Sequence, residues 1–265
     1  MDQPLLITDP DDPRIEGYRD VRDRDVVGRR REFIAEGEVV LRTLIKAAPG
    51  RLSSVLLTER QAERLAPLLL ALPPTVMRYT AAQAVMDQIV GFQIHRGILG
   101  LGSRGPAADP EALLDGLVGP CMLVVLCGIS NHDNMGGIFR NAAAFGVAGV
   151  LLDSTCCDPL YRKAIRVSVG ACLTTAFAKL DAGVDILALL DRAGFETLAF
   201  SPSGAGSLRD VVRPHRVAVL LGAEGPGLSA ELMARARTVS IPMASDLDSL
   251  NVATTCGIAL HHLRG

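Results

Sequence analysis

Tryptophan is absent from this chain of 265 residues, and aromatic residues make up only 4% of it. That leaves little flat surface on which bases could stack, so any nucleic acid would have to be read through phosphate, ribose and shape. The six cysteines, at 121, 127, 156, 157, 172 and 256, include no C-x-x-C pair, and no Cys/His cluster has zinc spacing. A bound metal is therefore not expected, and the cysteines read as reduced core residues of a cytoplasmic protein. There is no excess of either charge: 27 basic residues stand against 29 acidic ones. This excludes an overtly basic protein that coats nucleic acid, although a local patch can sit inside a balanced total. No apolar run is long enough to cross a bilayer, so no membrane partner is expected. The opening "MDQPLLITDPDDPR" has neither a basic n-region nor a long apolar stretch, so no signal peptide is expected.

What the chain does have is a 49% apolar content and a repeated alternation of strand and helix patterns. Residues 1–13, rich in Pro and Asp, predict irregular structure. Phe33, Val40, Leu41, Leu44 and Ile45 recur at helical spacing, which predicts a helix from Glu32 to Ala47, stopped by Pro49-Gly50. "SSVLLT", "TVMRYT" and "RGILGLG" read as strands, with "ERQAERLAPLLLAL" and "AAQAVMDQIV" as helices between them. Pro67 is a difficulty for the middle of the first of these helices. Gly102 to Pro110 breaks the periodicity as a linker would. After it, "CMLVVLCGI", "VAGVLLD", "FETLAF", "RVAVLLG" and "TVSIPM" read as strands of a parallel sheet covered on both faces. The fold class is α/β. The predicted division is an arm (1–31), a small α/β domain (32–104), a linker (105–118) and a parallel-sheet domain (119–265).

Three stretches carry chemistry. "NMGGIFRNAAAFG" is small and apolar except for Arg140, a guanidinium that needs either a partner, a surface or a purpose. "LLGAEGPGLS" leaves a strand with glycines at 222, 225 and 227, which let the backbone turn sharply and approach a ligand. It matches neither the dinucleotide fingerprint nor a Walker loop. "IPMASDLDSLNVATTCGIAL" leaves a strand for a helix that Asp248 or Ser249 could cap. Capping by either would not explain Asn251, placed one turn in where asparagine is a poor helix former.

Taken together and in this order, the three stretches resemble the motifs of the SpoU-type (TrmH-like) RNA ribose methyltransferases of the SPOUT superfamily. The matching features are an Asn, a Gly and an Arg (Asn134 and Arg140 among them) in the first, Gly-x-Glu-Gly in the second, and Ile-Pro-Met followed by Ser-Leu-Asn-Val in the third. The resemblance covers Cys121 to Leu263. It departs at Ala253, where the family often has serine.

The resemblance implies a C-terminal domain tied in a trefoil knot, preceded by a small α/β domain that binds the RNA substrate. It implies S-adenosylmethionine as cofactor, held at Gly222, Ile241 and Leu250 with Gly225 and Met243 beside them, and lined by Leu198 and Ala199. A side chain at Gly222 is expected to strike the cofactor or strain the loop. The implied reaction is methylation of a ribose 2′-hydroxyl in ribosomal or transfer RNA. Arg140 acts as base or as clamp, and Asn134, Glu224, Ser249 and Asn251 orient it and the ribose. A free guanidinium keeps its proton up to about pH 12, which favours the clamp. Arg162, Lys163 and Arg166 are the expected RNA contacts, and a homodimer is expected through the last helix. The alternatives are a base methyltransferase of the same superfamily and a catalytically silent RNA-binding protein. The seven arginines between Arg14 and Arg31 read either as a solvated face or as an RNA-contacting arm. His132 reads as a loop histidine, and His261 and His262 as caps of the last helix.

Overall fold

The computed structural model describes residues 3–19, 31–244 and 249–264. Most of the arginine-rich arm lies outside them, as does Asp248. The first sheet contains β1 (Leu5–Ile7), β2 (Glu32–Glu36), β3 (Leu52–Thr58), β4 (Met77–Ala81) and β5 (Ile98–Ser103), in the order β1-β4-β3-β5-β2. β1, β4 and β3 run parallel, and β5 is antiparallel to both β3 and β2. Between the strands lie α1 (Glu38–Ala47), α2 (Glu59–Arg64), α3 (Ala66–Leu70) and α4 (Gln83–Val90). Ile7, Ile34, Leu56, Tyr79 and Met86 share one core.

Two predicted elements are corrected here. The helix expected from Glu32 is a strand followed by a helix, divided at Gly37, whose φ of 92° is left-handed and breaks the run. The Pro- and Asp-rich start is not wholly irregular, since Leu5–Ile7 pairs with β4. Pro67 divides the third predicted segment, sitting in the first turn of α3, where its missing N–H costs nothing.

The second sheet is entirely parallel. The chain runs through α5 (Pro110–Asp115), β6 (Cys121–Cys127), α6 (His132–Phe145), β7 (Gly149–Leu152), α7 (Arg162–Val167), α8 (Ala171–Thr174) and β8 (Phe177–Lys179). It continues through α9 (Ile186–Arg192), β9 (Glu196–Phe200), β10 (Gly206–Ser207), β11 (Arg216–Gly222), α10 (Ala230–Arg235), β12 (Arg237–Ser240) and α11 (Val252–Arg264). The strand order is β10-β12-β9-β11-β6-β7-β8. β6 and β11 lie in its interior, in register from Arg216↔Cys121 to Gly222↔Cys127. Their continuous apolar sequences are covered on both faces, as parallel strands require. Among the described residues no helix is long and apolar enough to cross a membrane.

Helices α6 and α11 pack closely because their contact is made of small residues. A Cβ on Gly137 would lie 2.8 Å from that of Ala253. Asn141 Nδ2 donates to the Ala253 carbonyl at 2.7 Å, across the open face of Gly257. The histidines at the end of α11 serve packing rather than capping. His261 meets Phe145 edge-on at 5.9 Å, and His262 Nε2 bonds the Val211 carbonyl at 2.9 Å.

The chain divides into units at other places than the sequence suggested. Unit one is Met1–Pro106 with Asp158–Thr174, and unit two is Ala107–Cys157 with Thr175–Gly265. The expected linker 105–118 contains α5, and α7 and α8 belong with the first unit. The reason is electrostatic. Glu36, only 5% exposed, holds Arg162 at 2.6 Å and faces Arg166 at 3.8 Å. The Arg162 guanidinium also covers the Phe92 ring at 4.7 Å. Asp158 pairs with Arg104, and Arg51 donates to the Leu173 carbonyl at 3.5 Å.

Removing Glu36 would leave Arg162 largely buried without a counter-charge. Glu36→Ala is therefore expected to cost about 3 kcal/mol or more in denaturant unfolding. Glu111→Ala breaks a pair with Arg192 in which both side chains are about two-thirds exposed, and should leave the midpoint in place. Equal effects from the two substitutions would contradict a structural role for the Glu36 pair.

Candidate active site

A cavity of about 670 Å³ opens at the carboxyl ends of β9, β11 and β12. Parallel α/β sheets place ligands at such strand ends, because the loops there are free of the sheet's hydrogen bonding. Its wall is drawn from the end of β9 and the residues after it (200–202), the end of β11 and its turn (221–227), the end of β12 with Ile241 and Met243, and 249–255 at the start of α11.

The second stretch folds back sharply on itself. Gly227 N donates to the Ala223 carbonyl at 3.0 Å, closing a turn in which Gly225 has a φ of 86° and Gly227 a φ of 69°. Gly222 is fixed by the same turn. A Cβ there would come within 2.4 Å of the Gly227 carbonyl carbon and 2.5 Å of Leu228 N. The steric restriction at Gly222 thus comes from the loop's own backbone.

Asn251 joins the three motifs. Its Oδ1 accepts from the backbone N–H groups of Ala253 at 2.9 Å and Thr254 at 3.3 Å, which makes Asn251 the N-cap of α11. The poor helix former one turn in is in fact the residue that starts the helix, and Ser249 stands outside it. Asn251 Nδ2 donates to Asn134 Oδ1 at 2.8 Å and to Glu224 Oε1 at 3.0 Å. Asn134 lies in the first turn of α6, itself capped by Asn131, whose Oδ1 accepts from Asp133 N at 2.8 Å. One side-chain amide thereby ties residues 134, 224 and 251 together.

The residues singled out in the sequence separate into groups. Gly222, Glu224 and Gly225 line the cavity, as do Ile241, Met243, Ser249, Leu250 and Asn251. Leu198 and Ala199 do not. Both are fully buried inside β9, held between β11 and β12, and the wall is formed by the residues that follow, Phe200, Ser201 and Pro202. Asn134 touches the cavity only through Asn251. Arg140 is exposed on α6 and makes no hydrogen bond or ion pair to the described residues, so the charge in the apolar helix lies at its surface. Arg162 belongs to the Glu36 pair in the first unit and is committed to structure. Lys163 and Arg166 are exposed in that unit. Asn131 and Asn141 were missed by motif reading. An asparagine at the centre of a helix, where it is a poor former, was the available signal for Asn141.

Two of the buried thiols are held protonated by their surroundings. Burial, with Asp153 nearby, pushes Cys127 up to about 12, and burial alone pushes Cys256 up to about 12. Among the described residues no cluster of His, Cys, Asp and Glu could hold a metal ion.

Gly222→Ala is expected to lower stability by about 1–3 kcal/mol, since the added carbon meets backbone that cannot rotate away. Urea denaturation measures this, and an unchanged midpoint would contradict the turn geometry.

Residues 121–261 match the SpoU rRNA Methylase family. A tRNA/rRNA methyltransferase of Mycobacterium tuberculosis is 35% identical over 264 residues, covering 96% of this chain and 90% of that one. The chain is similar in fold to an AdoMet-bound rRNA methyltransferase from Sinorhizobium meliloti, with a TM-score of 0.81, 24% identity, and 99% and 98% of the two chains covered. An RNA 2′-O ribose methyltransferase superposes with a TM-score of 0.78 at 21% identity over 98% of each chain. The extent of the family match and the full-length relative together establish that this chain belongs to the SpoU rRNA methylase family.

Proposed function

We propose that this protein transfers a methyl group from S-adenosylmethionine to a ribose 2′-hydroxyl of folded ribosomal or transfer RNA. The observation that carries the reading is the convergence of Asn134, Glu224 and Asn251 on one amide at the rim of a strand-end cavity. The name of the 2′-O ribose methyltransferase that shares the fold supports the choice of acceptor. So does the scarcity of aromatic residues, which leaves little surface for gripping a base.

The cavity fits the cofactor. Its volume lies within the range of small-molecule sites, about 300–1,000 Å³. The strand-end turns at Gly222, Ile241 and Leu250 offer backbone groups, and Met243 and Val252 add apolar wall. The cofactor supplies a methyl group on a positively charged sulfur. The hydroxyl proton must leave, and positioning of the oxygen is the chain's main contribution. Arg140 provides a charged fork for phosphate or for the developing oxyanion. Its exposure, and its lack of a partner among the described residues, suit it to that clamp.

Two further features belong to the proposal. The C-terminal segment threads as a trefoil knot. This is supported by the strand order, in which β9 lies between β11 and β12, and by the close backbone approach that Gly204 and Gly222 permit. The active form is a homodimer built on α11. Ile258 on that helix is 39% exposed, and a second cavity of about 420 Å³ beside it is lined by Leu208, Pro242 and His261.

Mass-spectrometric mapping of ribose methylation in total RNA, with and without the protein, identifies the site. At that site, 2′-deoxyribose must stop transfer completely while RNA binding persists. Transfer to the deoxy substrate would place the acceptor on the base. Arg140→Ala should reduce turnover about 100-fold or more. Its affinity for S-adenosylmethionine should stay within about three-fold of the parent by calorimetry. Loss of cofactor binding in that variant would remove the clamp role.

A further inference from the structure

The carboxylate of Asp153 is engaged at two places in the chain, and only one of them is its own turn. Asp153 is the first residue after β7. Its Oδ1 accepts from Thr155 N, Thr155 Oγ1 and Cys156 N, each at 2.9 Å, which closes the turn that leaves the strand. That turn needs no second oxygen. Oδ2 reaches back 25 positions instead and accepts from Gly128 N at 2.9 Å. Gly128 is the first residue after β6 and stands at a φ of 72°.

Further bonds lace the two strand exits along the same line. Asp153 N and Cys156 Sγ donate to the Leu126 carbonyl at 2.9 and 3.4 Å, and Cys157 N donates to the Ile129 carbonyl at 2.8 Å. From β8, Lys179 Nζ donates to the Cys156 carbonyl at 3.0 Å. The exit from β6 secured in this way leads directly to Asn131, the N-cap of α6, which carries Arg140. It also runs beside the cofactor turn, since a Cβ on Gly128 would lie 3.3 Å from that of Ala223. The bond to Gly128 has an ionised acceptor, which makes it strong for its kind, and it acts where the chain turns from the sheet toward α6.

We infer that Asp153 is a positioning residue for methyl transfer. Through Gly128 it sets where α6 begins, and thereby where Arg140 stands relative to the cofactor cavity. The inference rests on the reading of the chain as a ribose methyltransferase. Displacement of a reacting group by about 1 Å can cost about 100-fold in rate, so one such bond is enough to govern turnover. The cofactor turn is closed by its own bond from Gly227 N to the Ala223 carbonyl, so cofactor affinity does not depend on Asp153.

Asp153→Asn tests this, because the amide keeps the shape of the carboxylate and has one acceptor oxygen. Three donors converge on Oδ1 and one on Oδ2, so that oxygen stays with the turn and the amide N–H groups face the Gly128 N–H. Asp153→Ser is the second variant, since a serine hydroxyl still serves the turn and is too short to reach Gly128. Thr155→Val is the control, because it removes a bond to the same carboxylate and leaves Gly128 alone. All are assayed well below their melting midpoints, so that loss of folded protein does not enter. In both Asp153 variants kcat on RNA carrying the mapped site should fall about ten-fold or more. Their affinities for S-adenosylmethionine and for that RNA should stay within about three-fold of the parent. Thr155→Val should keep kcat within about two-fold. A lowered midpoint with parental kcat in either folded Asp153 variant overturns the inference, and so does an equal loss of kcat in Thr155→Val. Cofactor affinity that falls in step with turnover overturns it too. If neither Asp153 variant folds, Asp153 belongs to the stability of the sheet and the inference fails. If the parent itself methylates no RNA, the proposed function fails instead, which is a distinct result.

Discussion

The site depends on one saturated amide. Asn251 starts α11 by capping two backbone N–H groups, and with its nitrogen it holds Glu224 and Asn134. Each of these bonds belongs to a different part of the chain, so a single side chain sets the relative position of three motifs separated by up to 117 residues. The amide has no capacity left for a ligand. Its importance lies in what it orients: Asn134 at the start of α6 and Glu224 in the turn after β11.

Close packing of α6 on α11 makes this possible. Gly137 against Ala253 leaves no room for even one additional carbon, and Asn141 reaches a backbone carbonyl beside Gly257, where a Cβ would lie 3.1 Å from its amide nitrogen. Ala253 is thus a contact of the helix pair. With its methyl group against Gly137, it supplies packing at a position where the family often has a hydroxyl. The buried side of α6 is consumed by this contact and by the sheet, which leaves Arg140 on the exposed side. A guanidinium in an otherwise apolar helix is then unremarkable energetically, because it is never desolvated.

Much of the fold was legible in the sequence, because periodicity reports burial directly. The continuous apolar runs at 121–127 and 216–222 became interior parallel strands, and the glycine-rich stretch became a strand-end turn. Reading failed where a local signal was outweighed by something distant. Phe33 fell on a helical period but lies in a strand, because β5 provides a distant partner, Gly102, that no local pattern reveals. The resemblance implied that Leu198 and Ala199 line the pocket, yet β11 and β12 both pair with them and the cavity begins at Phe200. Asn251 was recognised as unusual, but its capping role depended on where the helix starts, and boundaries are the least legible feature of a helix. Arg162 was expected to contact RNA, because Glu36, its partner, is 126 positions away and no local pattern reveals it.

The assignment of Asp158–Thr174 to the first unit also bears on modularity. The polypeptide passes between the units at 106/107, at 157/158 and at 174/175. A gene fusion that appended or exchanged the N-terminal portion at residue 107 would transfer only part of that unit. The recipient would lack the helix that neutralises Glu36, while the donor's remaining chain would carry Arg162 without its acid. Exchange of the N-terminal unit among relatives therefore requires matched changes at both Glu36 and Arg162, and the two portions of such a protein are constrained to diversify together.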